Sequence, residues 1–123
     1  MLNPNGLTPI YVQLAQWMET EILMERFNEE EKVYSQYQLA ELFLINPATA
    51  AKGINLLAEE GILYKKRGLG MFVSKEARVL ILKKRQNQLV TKYVKNLVVE
   101  AKSLNLSKEE VVYLIENAFE EDK

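Results

Sequence analysis

Apolar residues return every three or four positions in several stretches of the chain, and residues that start and stop helices bound most of those stretches. After Thr8-Pro9, Leu14, Met18 and Ile22 lie one above another with Tyr11 and Trp17 beside them, which predicts a first helix with one buried face. Trp17 reads as core rather than as a binding platform. The period lapses from Glu25 to Tyr34, an acidic connector. Ser35 with Gln38 three residues on then forms a capping box and opens a second helix whose Leu39 and Phe43 face inward. Leu44 and Ile45 leave a very short turn without glycine, with Ile45 plugging the angle to the next helix. Asn46 can cap that third helix and Pro47 fits its first position, where no N–H is needed. Ala50, Ile54 and Leu57 form its packing stripe, so Ala48, Ala51, Lys52 and Asn55 fall on other faces, and Gly61 supplies the left-handed stop.

Past that stop the pattern shortens to strands. Ile62, Leu63 and Tyr64 run out, Lys65 to Gly70 turn, and Met71, Phe72 and Val73 return. From Ser74 onward a helical period resumes through Val79, Leu82, Leu89, Tyr93, Leu97, Ala101 and Leu104. Asn105 can end this helix in the left-handed conformation. Ser107 with Glu110 is a second capping box, starting a last helix with Val111, Leu114, Ile115, Ala118 and Phe119 inward. The expected fold is mostly α with a small β-hairpin, residues 1–75 forming one domain and 76–123 a two-helix element. Met1 to Leu7 reads as a loose arm. Two helices alone bury little, so the tail either pairs with the same element of a second chain, through Val79, Leu82, Leu89, Tyr93, Leu97, Leu104, Leu114 and Phe119, or folds back on the preceding domain.

Charge changes this picture because it is segregated. The formal net charge is −1, yet residues 52–95 hold eleven Lys or Arg against three Glu, while residues 19–32 and 100–123 are acidic. A basic middle between acidic ends suggests one surface that faces a polyanion. Lys65, Lys66 and Arg67 load the hairpin just before Gly68 and Gly70, which let the backbone turn tightly and approach a phosphate. The alternative is an ordinary solvated hairpin.

In order and spacing these residues resemble the winged helix-turn-helix of GntR-type transcription regulators. The likeness spans Pro9 to Val73 and is carried by Pro9-Ile10-Tyr11 with Gln13, by Ser35, Leu39 and Ala40, by Asn46-Pro47, Thr49, Leu57 and Gly61, and by Arg67-Gly68, Gly70 and Phe72-Val73. Asn-Pro-x-Thr and a tail of about fifty residues bring it nearest to the small YtrA-like branch. The resemblance implies a homodimeric repressor on double-stranded DNA, with a C-terminal portion that senses or transmits a signal from an effector the sequence does not name. The DNA-facing residues it points to are Ser35, Tyr37, Asn46, Ala48, Thr49, Lys52, Asn55, Lys65, Lys66, Arg67, Gly68 and Gly70. Two departures stand out: Tyr37 occupies the place of a DNA-touching arginine, and Glu25 and Glu30 stand in the connector where the family commonly has glycines.

Other classes fare worse. With no histidine and no cysteine, Ser-His and Cys-His pairs and the usual zinc ligand sets are impossible, and GLG after a strand is too short for a nucleotide-binding loop. No cofactor or metal is expected. A signal peptide and a membrane span are also absent from the pattern, so the expected location is the cytoplasm. The remaining competitor is a winged-helix module that binds only protein, which would have no use for Lys52, Lys65, Lys66 and Arg67.

Overall fold

The computed structural model describes residues 2–121. Its elements are α1 (Ile10–Leu23), α2 (Gln36–Phe43), α3 (Pro47–Glu59), the strands β1 (Leu63–Lys66) and β2 (Gly70–Val73), α4 (Ala77–Gln88), a π-helical segment (Leu89–Val94), α5 (Lys95–Ser103) and α6 (Lys108–Glu121). The chain divides into two compact units, the first running to Lys83 and the second beginning at Lys84. The first unit therefore extends beyond residue 75, because Ala77 and Ile81 at the start of α4 are buried with the winged core. The second turn of this stripe departs from the expected one: Val79 and Leu82 are exposed, and Ile81 takes the inward place.

The core of the first unit is built from the stripes of three helices and the inner face of the hairpin. Leu14, Met18 and Ile22 of α1 meet Leu39 of α2 and Ala50, Ile54 and Leu57 of α3, and Leu63 and Val73 close the layer from the strands. Trp17 packs edge-on against Phe43, ring centroids 4.8 Å apart, which confirms it as a core aromatic. The decisive contact is between α1 and α3. A Cβ on Gly53 would lie 2.9 Å from the Tyr11 carbonyl oxygen and 3.2 Å from Leu14 Cδ2, so the two backbones cross at a distance that only glycine allows.

The caps form largely as the sequence foretells. Ser35 Oγ accepts from Gln38 N at 3.1 Å while Gln38 Oε1 accepts from Ser35 N at 2.8 Å. Asn46 Oδ1 accepts from Ala48 N at 2.8 Å, and Ser107 and Glu110 make the same reciprocal pair at 3.1 Å each. The Thr8-Pro9 start, which offers a cap and a proline as Asn46-Pro47 does, forms no side-chain cap, since α1 begins after Pro9 without one. Instead Gln13 accepts from Asn3 N at 2.6 Å and donates to the carbonyls of Asn3 and Thr8, both at 2.8 Å. The arm expected to be loose is thus tied to α1 over its described residues; Met1 lies outside them.

In the second unit, Thr91 Oγ1 bonds back to the carbonyls of Asn87 at 3.2 Å and Gln88 at 3.4 Å, competing for acceptors at the start of the π-helical segment. That segment has a use. Leu89, Tyr93, Leu97 and Ala101 repeat every four residues, which overruns an α-helical turn by about 40° each time, and one wider turn takes back the drift. The inward packing expected of α6 is not seen: Leu114, Ile115 and Phe119 are exposed, because two helices present more apolar surface than they can cover for each other.

Replacing Gly53 tests the crossing. Alanine normally stabilises a helix interior by roughly 0.5–1 kcal/mol relative to glycine, but here the added methyl meets backbone, and overpacking costs about 1–3 kcal/mol. Gly53→Ala should therefore lower the midpoint of chemical denaturation rather than raise it.

Candidate nucleic-acid interface

The helix-turn-helix is set by one strained residue. Leu44 ends α2 in the left-handed conformation at φ 55°, which costs roughly 1–2 kcal/mol for a residue with a Cβ. Its own N–H and that of Ile45 both reach the Ala40 carbonyl, and Ile45 packs against the core while the Leu44 side chain stays in water. This sharp corner lets α3 start after only three residues, Leu44, Ile45 and Asn46.

On α3 the packing stripe faces in and the expected reading positions face out. Ala48, Lys52 and Asn55 are exposed and Thr49 is half-buried. Ala48, Lys52 and Asn55, but not Thr49, border an open groove with Tyr11, Gln36, Ala51 and Glu59. Lys52 is not a loose tether: its Nζ sits 4.3 Å from the centroid of the Tyr11 ring, a contact that fixes the ammonium beside the groove without removing its charge. Ser35 and Asn46 spend their oxygens as cap acceptors, leaving the Ser35 hydroxyl hydrogen and the Asn46 amide hydrogens as donors. Tyr37, in the first turn of α2, is 68% exposed and so is not held in the core.

The hairpin pairs Leu63 with Val73, Tyr64 with Phe72, Lys65 with Met71 and Lys66 with Gly70. Side chains alternate along a strand, so Lys65 and Lys66 point to opposite faces and do not form one cluster with Arg67. Lys66 lies over the Phe72 ring at 4.3 Å, on the face away from the core. Gly68 and Gly70 adopt φ of 78° and 114°, the positive values for which glycine was expected. The connector is more ordered than its composition suggests. Glu30 N donates to Val73 O at 2.7 Å, Val33 N to Met71 O at 2.9 Å and Val73 N to Glu31 O at 3.0 Å, so residues 30–33 lie against β2 as a third, irregular strand. Glu25 and Glu30 both take positive φ, 61° and 67°, at the two places where glycines were noted as missing. The Tyr64 hydroxyl donates to the Glu30 carboxylate, which raises the phenol's pKa above its ordinary value through that bond.

Charge is distributed less simply than along the sequence. Arg78, one of the basic middle residues, donates to the Leu23 carbonyl at 2.8 Å and anchors α4 to the end of α1. Among the described residues, Lys52, Lys65, Lys66 and Arg67 make no ion pair. No three metal-ligating side chains come together among the described residues, and none of the described helices is long and apolar enough to cross a membrane.

No family model matches the chain. It is 29% identical over 100 residues to the HTH-type transcriptional repressor YtrA of Bacillus subtilis, a match that covers 81% of this chain and 76% of YtrA. The fold agrees with that of a GntR-family transcriptional regulator from Bacteroides thetaiotaomicron at TM-score 0.81 and 25% identity, over 94% of this chain and all of the other. The chain thus resembles the YtrA-like regulators of the GntR family. These relatives are transcriptional regulators, and the winged unit is also similar to the DNA-binding domain of AraR in complex with operator ORX1. That likeness covers 60% of this chain and 92% of the other, at 25% identity and TM-score 0.55.

Sequence reasoning missed Gln13 as the anchor of the arm, Tyr11 as the seat of Lys52, and the third strand of the wing. The first two had a signal, since both residues belong to the motif that carries the GntR likeness; the third was hidden by its acidic composition. Tyr37 offers a direct test of this GntR-type surface. Tyr37→Arg should tighten duplex binding and steepen the dependence of log affinity on log salt by about 0.9, the contribution of one phosphate. Unchanged binding would place position 37 away from DNA.

Proposed function

We propose that this chain is a sequence-specific, homodimeric, GntR-type repressor of the cytoplasm that reads a two-fold operator. Each α3 lies in a major groove and each wing runs along the neighbouring backbone or minor groove. The observation that carries the reading is Lys52, seated on Tyr11 without a carboxylate partner among the described residues, on the solvent face of the helix that an alanine-lined groove leaves open. The similarity of the winged unit to AraR bound to operator DNA supports it. Lys52 reaches guanine acceptors, Asn55 can read adenine, and Thr49 with the methyl of Ala48 meets thymine methyls. Lys65, Lys66, Arg67 and the backbone at Gly68 and Gly70 hold phosphates, as do the spare donors of Ser35 and Asn46.

Pairing through the tail follows from unsatisfied surface. Val79, Leu82, Leu89, Tyr93, Leu97, Leu104, Leu114 and Phe119 are all exposed in the single chain, and a second copy offers the same stripe in return. Two linked reading heads then bind the second half-site intramolecularly, and occupation of the operator blocks transcription.

Duplexes selected from a random pool supply the test. The full chain should bind them with an affinity that falls steeply with salt, and a Lys65, Lys66 and Arg67 triple alanine variant should show a shallower slope; equal slopes would favour a winged helix that binds protein alone. Sedimentation of the full chain should give a dimer at micromolar concentration. A monomer there would remove the two-fold operator from the account.

A further inference from the structure

The wing carries a basic residue that belongs to neither the reading helix nor the hairpin. Lys32 sits on the irregular third strand and pairs with Phe72 as an isolated bridge, so it shares the outer face with Phe72 and Lys66. Its stem crosses Gly70 closely: a Cβ at Gly70 would fall 2.9 Å from Lys32 Cε and 3.7 Å from Nζ. The two carboxylates that precede it accept hydrogen bonds from other groups. Glu30 accepts from the Tyr64 hydroxyl, and Glu31 Oε2 accepts from Asn28 N at 2.6 Å. Among the described residues no carboxylate pairs with the exposed Lys32 ammonium.

An exposed ammonium whose stem is packed over Gly70, and which no carboxylate among the described residues pairs with, is arranged to receive an anion from outside. We infer that Lys32 is a DNA phosphate ligand, which with Lys66 makes the outer face of the wing, rather than its tip alone, the surface laid against the backbone. This rests on the DNA-binding reading. It also gives Gly70 a second role, since any side chain there would displace the Lys32 stem.

Lys32→Met keeps an unbranched stem over Gly70 and removes only the charge. Binding to duplexes selected with the unaltered chain is measured across a salt series, with thermal unfolding of each variant alongside. The expected result is a slope shallower by about 0.9 in Lys32→Met, restored in Lys32→Arg, with the unfolding midpoint of Lys32→Met unchanged. An unchanged slope in Lys32→Met overturns the assignment, and a fall in its midpoint with no change of slope shows Lys32 to be a packing residue only. If the unaltered chain binds no duplex, the DNA-binding reading itself fails and this inference with it.

Discussion

The close approach of α1 to α3 at Gly53 is the constraint on which the winged unit depends. With no side chain between them, Leu14 reaches into the centre of the core and Tyr11 comes far enough over α3 to lie beneath Lys52. Packing and presentation of charge are thus one piece of geometry. Widening the crossing by a methyl would loosen the core and carry the Tyr11 ring away from the ammonium it holds. The same helix is steadied at its other end, where Arg78 bonds the Leu23 carbonyl and draws the start of α4 into the unit.

A chain of formal charge −1 can serve a polyanion because most of its acidic and basic residues fall in separate segments. Glu30 and Glu31 are hydrogen-bonded within the connector, and Glu21 pairs with Arg26 at 3.4 Å. Among the described residues, the cations on α3 and the wing make no ion pair. Strand alternation then spreads the wing's charge over two faces instead of concentrating it.

How legible this was depended on the range of the physics involved. Capping at Ser35, Asn46 and Ser107, the left-handed stops at Gly61 and Asn105, and the stripes of α1 and α3 are decided within a few residues, and the sequence carried them openly. Gly53 was invisible because its reason lies across the core, in the Tyr11 carbonyl. The third strand of the wing was hidden because FNEEEKVY has no alternating pattern of its own and is ordered by bonds to β2. Of the site, the solvent exposure of Lys52, Asn55 and Arg67 was foreseeable from helix and turn positions. The opposed directions of Lys65 and Lys66 required the strand register, which placed both inside β1 rather than in the turn. In the tail, a stripe spaced near four located the helix but misassigned its first two inward residues, Val79 and Leu82, since Ile81 completes the core begun by Ala77.

The central claim is that a single rigid unit, braced at Gly53, offers α3 and the wing together to DNA. Amide and side-chain NMR shifts of the labelled full chain, followed while a selected duplex is added, test it most directly. The account predicts saturable changes at Ala48, Thr49, Lys52, Asn55, Tyr37, Lys32 and the segment from Lys65 to Gly70, with the buried residues Leu14, Leu39 and Leu57 little altered. Changes confined to residues 84–121, or none that saturate, would contradict it.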